Sequence, residues 1–461
     1  MRNAKERGKT EIRSSASTLN VSDPVVVGDK LGVPTSDIRP SYMLRLQLLL
    51  FLFVSVLVFC SQFYRASNAI IAPQLRQGLA LTSETLGMLS ASFFYAFAVT
   101  QIPIALLLDR LGARLIMSVL TLVGAFGSCL FGLSEGFYGA LAGRMLLGFG
   151  MAGNFMGGMK LFTRWFPPGE FATMSGLMLG IGTLGSVGSS TPLALLVAEI
   201  GWRWSFIAIG IATAVLALLF FVTVRDEPYT KTGGKSSSGN SPSIDVAASL
   251  KLLMLNRDYW LISFGTFFRY GTLMAIQGLW AGPYLMECFG LSPVQAGNLL
   301  VLTTLGYVGG CSIGGWLSDR IFGSPKYVTV LGLIGMAATE LCFVYSWGQS
   351  AVLSQAGIFF SLGFFSGLGN VMYAHIKAVM PSEMSGMALT GINFFTMLGV
   401  GAYIHIMGWV LENFSGGKTG PDSYQSPFFM AFAGVAAAAF LYCFTHDPKN
   451  ARKKISIPSV E

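Results

Sequence analysis

Runs of about 20 mostly apolar residues recur twelve times along this 461-residue chain, each long enough to cross a hydrocarbon layer roughly 30 Å thick as a helix. They fall near 46–72, 85–107, 115–133, 138–159, 172–198, 204–223, 259–285, 294–317, 327–347, 351–377, 385–411 and 427–445. A mean hydropathy of +0.61, with 53% hydrophobic and 11% charged residues, leaves too little polar surface to coat a water-soluble domain. The 56 glycines suit membrane helices, where small residues let backbones approach. The expected fold is an all-α membrane protein of twelve transmembrane helices.

Charge gives the orientation. Of 30 Lys and Arg residues, 24 fall on the face that carries both termini, against Arg76, Arg203 and Lys418 on the other; Arg65, Arg144 and Arg269 lie within spans. The positive-inside rule puts both termini in the cytoplasm, as an even number of crossings requires. The net charge of +8 is then an orientation signal and needs no nucleic acid. Residues 1–45 mix charges with Ser, Thr and Pro and read as a disordered tail. The first hydrophobic stretch, from Leu46, is too long for a cleavable signal peptide. The six cysteines are scattered and form no CxxC pair, so they read as packing residues.

Two features divide the chain into halves. The apolar pattern stops after Arg225 for a Gly/Ser/Lys stretch, giving a half at 46–225, a linker at 226–256, a second half at 257–446 and a tail at 447–461. Within the linker, Ile244 to Met254 has helical spacing and is read as a surface helix or a solvated loop. One short loop also occurs twice between the second and third span of a half. Its copies are Leu108-Asp109-Arg110-Leu111-Gly112-Ala113-Arg114 and Gly315-Trp316-Leu317-Ser318-Asp319-Arg320. Six plus six spans with a duplicated loop is the layout of repeat-built transporters.

On these residues the chain resembles the major facilitator superfamily over 45 to 446. Asp319 and Arg320 have the signature's glycine at Gly315, whereas the first copy has Ala105 there and keeps Asp109, Arg110, Gly112 and Arg114. Arg144, with Gly148 and Gly150, resembles the family's buried arginine of span four. Gly180, Gly182, Gly185, Gly188 and Pro192 resemble its hinge helix. The resemblance implies two pseudo-symmetric halves that alternate access to one central site. It assigns Asp109, Arg110, Gly112, Arg114, Arg144, Gly315, Asp319 and Arg320 to gating.

Ionisable residues within spans are functional candidates by default. Arg269 lies deep in span seven and Arg65 in span one, the first helices of the two halves, so pseudo-symmetry is expected to set them across a central cavity. For Arg65 the alternative is snorkelling to the interface. Among 22 Asp and Glu, only Glu340 falls clearly mid-span, leaving a positive surplus that suits an anionic solute held by guanidinium forks. The arginine pair, Trp165 to Glu170 and His375 are similar to the organophosphate:phosphate antiporter branch, but Gly182 stands where those antiporters carry a histidine. Carboxylates, amino acids or peptides, and phosphate esters all remain open. Asn68, Tyr270, Gln277, Trp280, Asn370 and Tyr373 are further binding candidates, with Tyr95 and Asn393 behind them. Lys377 reads as a helix anchor, and His405 as packing.

No G-x4-G-K-[ST] loop, metal cluster or nucleophile–base pair can be assembled, so neither an ATPase nor an enzyme is expected, and no cofactor. The expectation is a monomeric secondary or facilitative transporter of a small organic anion in a bacterial-type inner (plasma) membrane. The alternative is a solute sensor of the same fold that binds without flux.

Overall fold

The structure, a computed structural model, describes residues 40–227, 252–345, 352–380, 384–414 and 421–447. Residues 1–39, 228–251 and 448–461, with Lys418 and Pro381, therefore lie outside the described residues, and the helix of span one begins at Pro40, within the tail expected at 1–45. Arg45–Glu461 forms one compact unit and Met1–Leu44 another. The described secondary structure is helical, and nine helices are individually long and apolar enough to cross a membrane. With the broken spans counted, the chain makes the twelve-helix arrangement in two six-helix halves.

The breaks follow from sequence. Span one runs as Pro40–Ala66 and Asn68–Gly78, with Ser67 bonding back to the Tyr64 carbonyl (3.2 Å) between them. Pro73 in the second piece has no N–H to give Ala69, whose carbonyl is left free of its helical bond. Span two is the single helix Ser83–Leu111, and span three is Ala113–Leu133. Span four is split into Phe137–Met151 and Asn154–Trp165. Span five combines Pro168–Gly188 with 191–200, and Gly201 (φ 76°) turns the chain into span six, 202–223. Span seven runs from Arg257–Ala275 through the π-turn Ile276–Trp280 to Ala281–Phe289. Spans eight and nine are Pro293–Trp316, extended by the turn Leu317–Phe322, and Pro325–Tyr345. Span ten is Val352–Leu368, the 3-10 turn Gly369–Val371 and Met372–Val379; spans eleven and twelve are Ser385–Phe414 and Pro421–Tyr442.

Burial is inverted relative to a water-soluble protein. Phe126 (63%), Val222 (75%) and Phe440 (65%) are exposed on the outside, while Arg144 and Arg269 are 0% exposed. That is the distribution a hydrocarbon solvent selects, since apolar side chains lose nothing against lipid and charges must turn inward.

Among the described residues, the hydrogen bonds that join the halves gather toward one end, while spans two and eleven also pack along their lengths. We call the end carrying Arg110, Arg114, Arg164, Arg257, Arg320 and Lys326 the basic face. At the opposite end, Gly282 of span seven presses on the free Ala69 carbonyl of span one. Gly87 of span two sits where a Cβ would lie 2.9 Å from the Ile404 carbonyl of span eleven. Arg76 donates to Glu287 (2.9 Å), the Ser83 N–H to Glu412 (3.0 Å) and Thr191 to Asn298 (2.6 Å), each joining one half to the other. At the basic face the hydrogen bonds among the described residues stay within a half, as from Trp165 to the Arg225 carbonyl (2.9 Å) and from Lys326 to that of Cys443 (2.7 Å). Among the described residues the hydrogen bonds that join the halves thus lie at the end opposite the basic face, which we call the closed end.

Gly282→Val tests the closure. Overpacking of this kind costs about 1–3 kcal/mol, so a lower melting temperature in detergent is expected, together with faster labelling of a cysteine placed at Ala69. Unchanged labelling would mean the contact does not hold the halves together.

Candidate functional site

Three arginines stand inside the spans, each with a different arrangement. Arg144 of span four is fully buried, donates Nη1 to the Tyr64 carbonyl of span one (3.1 Å) and lies over the Phe93 ring (5.1 Å). Arg269 of span seven is fully buried as well and donates Nη1 to the Ser366 carbonyl (2.6 Å) and hydroxyl (3.3 Å) of span ten. Each therefore ties the first span of its half to the fourth, from opposite partners. Span ten is shaped for this, because Arg269 crosses Gly369, where any Cβ would collide with its stem. Nε and Nη2 of both arginines have no hydrogen-bond partner.

Arg65 differs. It is half-buried, stacks over Phe97 of span two (4.9 Å), and makes no hydrogen bond or ion pair with any described residue. The two arginines expected from sequence to face each other across a cavity are therefore held differently. Arg65 stays partly open, while the gap at Gly369 lets Arg269 fold against span ten. Tyr373 of span ten interacts electrostatically with both, and with Tyr270.

Around them the second half supplies a polar aromatic wall. Tyr373 and Thr396 share a hydrogen bond (3.3 Å), Tyr307 donates to Asn370 (3.3 Å), and the Tyr270 and Tyr307 rings lie 6.4 Å apart. Gln277 donates to Thr304 (2.8 Å). Asn68 and Trp280, in contrast, are 1% exposed and committed elsewhere: Asn68 donates to Ser90 (2.7 Å) and Trp280 to the Ile404 carbonyl (3.1 Å), both toward the closed end. Tyr95 packs on Gly401 at the contact of spans two and eleven. His375 is buried between Tyr442 (2.7 Å) and the His446 carbonyl (2.9 Å), and Lys377 is exposed at the basic face. Asn393 and His405 are half-buried on span eleven. Phe97, Tyr307, Ser366 and Thr396 are additions that apolar or small-polar identity hides in sequence; a tyrosine within the glycine-rich run of span eight is the one visible cue.

The duplicated loops are organised by Gly112 and Arg114, named above from sequence, and by acids just past each half, which are not. Gly112 turns at φ 83°, and Asp226, just past span six, accepts from the N–H groups of Ala113 (2.7 Å) and Arg114 (3.0 Å) at the start of span three. A carboxylate at a helix N-terminus satisfies free donors and opposes the helix dipole. A Cβ at Gly112 would lie 2.7 Å from that carboxylate, so glycine is needed twice over. Arg114 donates to the Phe221 carbonyl (2.7 Å) and covers its ring (4.3 Å). The second copy repeats the plan with Gly323 (φ 55°), where Ser324 donates to Asp447 just past span twelve (2.9 Å). Asp319, Arg320 and Arg110 are exposed, and the Asp109 side chain lies outside the described residues. Gly315 has open space where a Cβ would stand, so the alanine in the first copy removes no required gap.

The sequence profile of the Major Facilitator Superfamily matches residues 54–281 and 262–460. The chain belongs to that superfamily. It is a multi-pass membrane transporter by family, not an enzyme. The probable sulfoacetate transporter SauU of Cupriavidus necator is 27% identical over 403 residues, which are 84% of this chain and 91% of that protein. The membrane sensor protein UhpC of Escherichia coli is 24% identical over 400 residues, 82% of this chain and 88% of that protein. Relatives at similar distance include carriers named for other organic anions, hexuronate and hexose phosphate among them. In structure, the chain superposes with a TM-score of 0.73 and 16% identity on a bacterial homologue of the human lysosomal transporter Spinster in an inward-facing, unoccupied conformation, over 90% of this chain and 99% of that one.

Asp226→Ala is expected to destabilise the protein by about 1–2 kcal/mol through loss of the cap and to slow transport, read by melting temperature and by uptake into vesicles. An uptake rate equal to that of the wild type would remove Asp226 from the moving parts.

Proposed function

We propose that this transporter carries a small organic anion across the plasma membrane by alternating access, with both termini cytoplasmic and a linker at 226–256 joining the halves. The observation that carries the reading is Arg65, a half-buried guanidinium that stacks on Phe97 and has no hydrogen-bond or ion-pair partner among the described residues, at a place where hydrocarbon surrounds the bundle. An unpaired charge in such a medium is costly, and a carboxylate, sulfonate or phosphate oxygen removes that cost while gaining paired hydrogen bonds. Tyr373, Tyr270, Tyr307 and Asn370 offer hydroxyl and amide groups to the rest of the solute, with Arg269 adding positive charge from behind them. The relatives named for sulfoacetate, hexuronate and hexose phosphate support the anionic class.

Under the positive-inside rule the basic face is cytoplasmic, which sets the hydrogen bonds between the halves at the outer end, as an inward-open state requires. The loops around Asp109 and Asp319 are then the parts that close the cytoplasmic side, and Asp226 and Asp447 hold them to their own halves. A second reading, a sensor that binds without flux, is favoured by the similarity to UhpC.

Counterflow in proteoliposomes separates the two. The expected outcome is exchange of labelled anion, tested with sulfoacetate, glucuronate and glucose 6-phosphate. Arg65→Ala should reduce it about 10- to 100-fold, the worth of a hydrogen bond to a charged group, and Arg65→Lys should not restore it, because the fork geometry is lost. Saturable binding with no exchange would favour the sensor, and full exchange by Arg65→Ala would sink the anion site.

A further inference from the structure

Span ten holds Arg269 in a niche of its own making. Its backbone tightens to the 3-10 turn Gly369–Val371, and the missing Cβ of Gly369 leaves the space through which the Arg269 stem passes. Ser366, itself 0% exposed, closes the niche by accepting Nη1 at its carbonyl (2.6 Å) and its hydroxyl (3.3 Å). The backbone around this turn has no room to yield. Gly314 of span eight sits where a Cβ would lie 3.1 Å from the Leu368 Cα, and Gly332 of span nine where one would lie 2.9 Å from the Gly369 nitrogen. A side chain at position 369 therefore displaces the arginine rather than the helix.

The niche decides how many guanidinium forks the site offers. Arg144 is fully buried with one nitrogen on the Tyr64 carbonyl, and Lys377 is exposed at the basic face. Arg269 interacts electrostatically with Tyr307, Cys311 and Tyr373, so its charge is felt at the wall, but at 0% exposure it presents no donor to the open side. Among the described residues, Arg65 is left as the one intramembrane guanidinium that is partly open and uncommitted. The wall of Tyr270, Tyr307, Asn370, Tyr373 and Thr396 is neutral.

A solute with one anionic group can place it on Arg65 and turn its remaining polar groups to that wall. A second anionic group would leave water for hydroxyl and amide groups with no fork to pair it, and a charge buried without a partner is strongly disfavoured. The seal on Arg269 is also lightly held. Its Nε and Nη2 have no hydrogen-bond partner, so the bonds to Ser366 and the space at Gly369 are what keep it in place.

We propose that Gly369 and Ser366 are positioning residues that set the charge class of the cargo: by holding Arg269 out of the site, they make this carrier select organic anions with one charged group over those with two. The inference rests on the proposed anion carriage for its cargo. Freeing Arg269 should convert the site to one with two forks, open to dianions.

The first measurement needs no cargo. Phenylglyoxal, which modifies accessible guanidinium groups, is applied to the ligand-free, full-length protein, and modified peptides are followed by mass spectrometry. Arg65 should react at least about tenfold faster than Arg269, the protection that a hydrogen bond to a charged group affords, and Gly369→Ala should bring Arg269 close to the Arg65 rate. Ser366→Ala, which removes the hydroxyl bond and leaves the turn intact, should move Arg269 the same way by less. Equal rates in the unsubstituted protein, or an Arg269 rate unchanged by Gly369→Ala, overturn the proposal.

The second measurement adds unlabelled D-gluconate or D-glucarate to counterflow of labelled glucuronate in proteoliposomes. These competitors share a six-carbon chain and differ at one end, a hydroxymethyl group against a second carboxylate. Gluconate should compete at about tenfold lower concentration in the unsubstituted protein, the effect of one charged group left unpaired, and Gly369→Ala should abolish or reverse that preference. The preference is a ratio within one preparation, so loss of folded protein does not move it. Stronger competition by glucarate in the unsubstituted protein, or the same preference in Gly369→Ala, overturns the charge class. Absence of glucuronate exchange counts against the cargo reading and leaves the labelling rates to decide whether Arg269 is held out of the site.

Discussion

A guanidinium group has five N–H donors and cannot shed its charge, and a lipid-facing surface has nothing to offer it. The interior of this bundle is arranged around that fact. Arg144 and Arg269 each give one nitrogen to a backbone carbonyl on another span, and those carbonyls are released where helices break, at the Tyr64–Ser67 corner of span one and beside the Gly369–Val371 turn of span ten. The irregular backbone is therefore the acceptor that lets the charge stay inside, in keeping with the rule that non-helical segments occur in membranes only where protein or a cavity surrounds them.

The two-fold repeat is closer in its backbone than in its chemistry. Both halves tie the first span to the fourth with an arginine, but the arginine rides on the fourth span in one half and on the first in the other. This exchange leaves Arg65, which aligns by position with Arg269, without a structural duty. Arg144 and Arg269 each commit one guanidinium nitrogen to a carbonyl of another span, whereas Arg65 commits none to a described residue. On that difference the proposed site is asymmetric, with its uncommitted guanidinium from the first half and hydroxyl and amide groups from the second.

Much of the fold was legible because hydrocarbon imposes a length on every crossing. The twelve apolar runs, the division near Arg225 and the duplicated loop needed only composition and spacing. Arg65 and Arg269 were visible for the same reason, as charges inside such runs. Other parts were not. That Arg269 would be sealed depends on Gly369, 100 residues further on, lacking a Cβ, a pairing that no local pattern announces. Trp280 looked like a cavity aromatic and instead bonds to the Ile404 carbonyl at the closed end. Asp226 looked like the start of a linker, yet it caps span three, because the end of span six and the start of span three meet only in the folded half.

The distribution of contacts also says how the halves can move. At the closed end they touch through glycine against backbone and through partly exposed polar pairs such as Arg76 and Glu287, whose side chains are 31% and 34% exposed. Exposed ion pairs are worth about 0–1 kcal/mol, so the polar pairs add little to the cost of opening this seam. At the basic face the strong ties, Asp226 on span three, Lys326 on the end of span twelve and Asp258 on His446, all lie inside one half or the other. Each half is therefore stiffened against bending at the end where it must swing furthest, and weakly joined to its partner at the end that acts as the fulcrum. For the proposed alternating access, that arrangement suits rigid-body rocking, because deforming either half would break the ties within it.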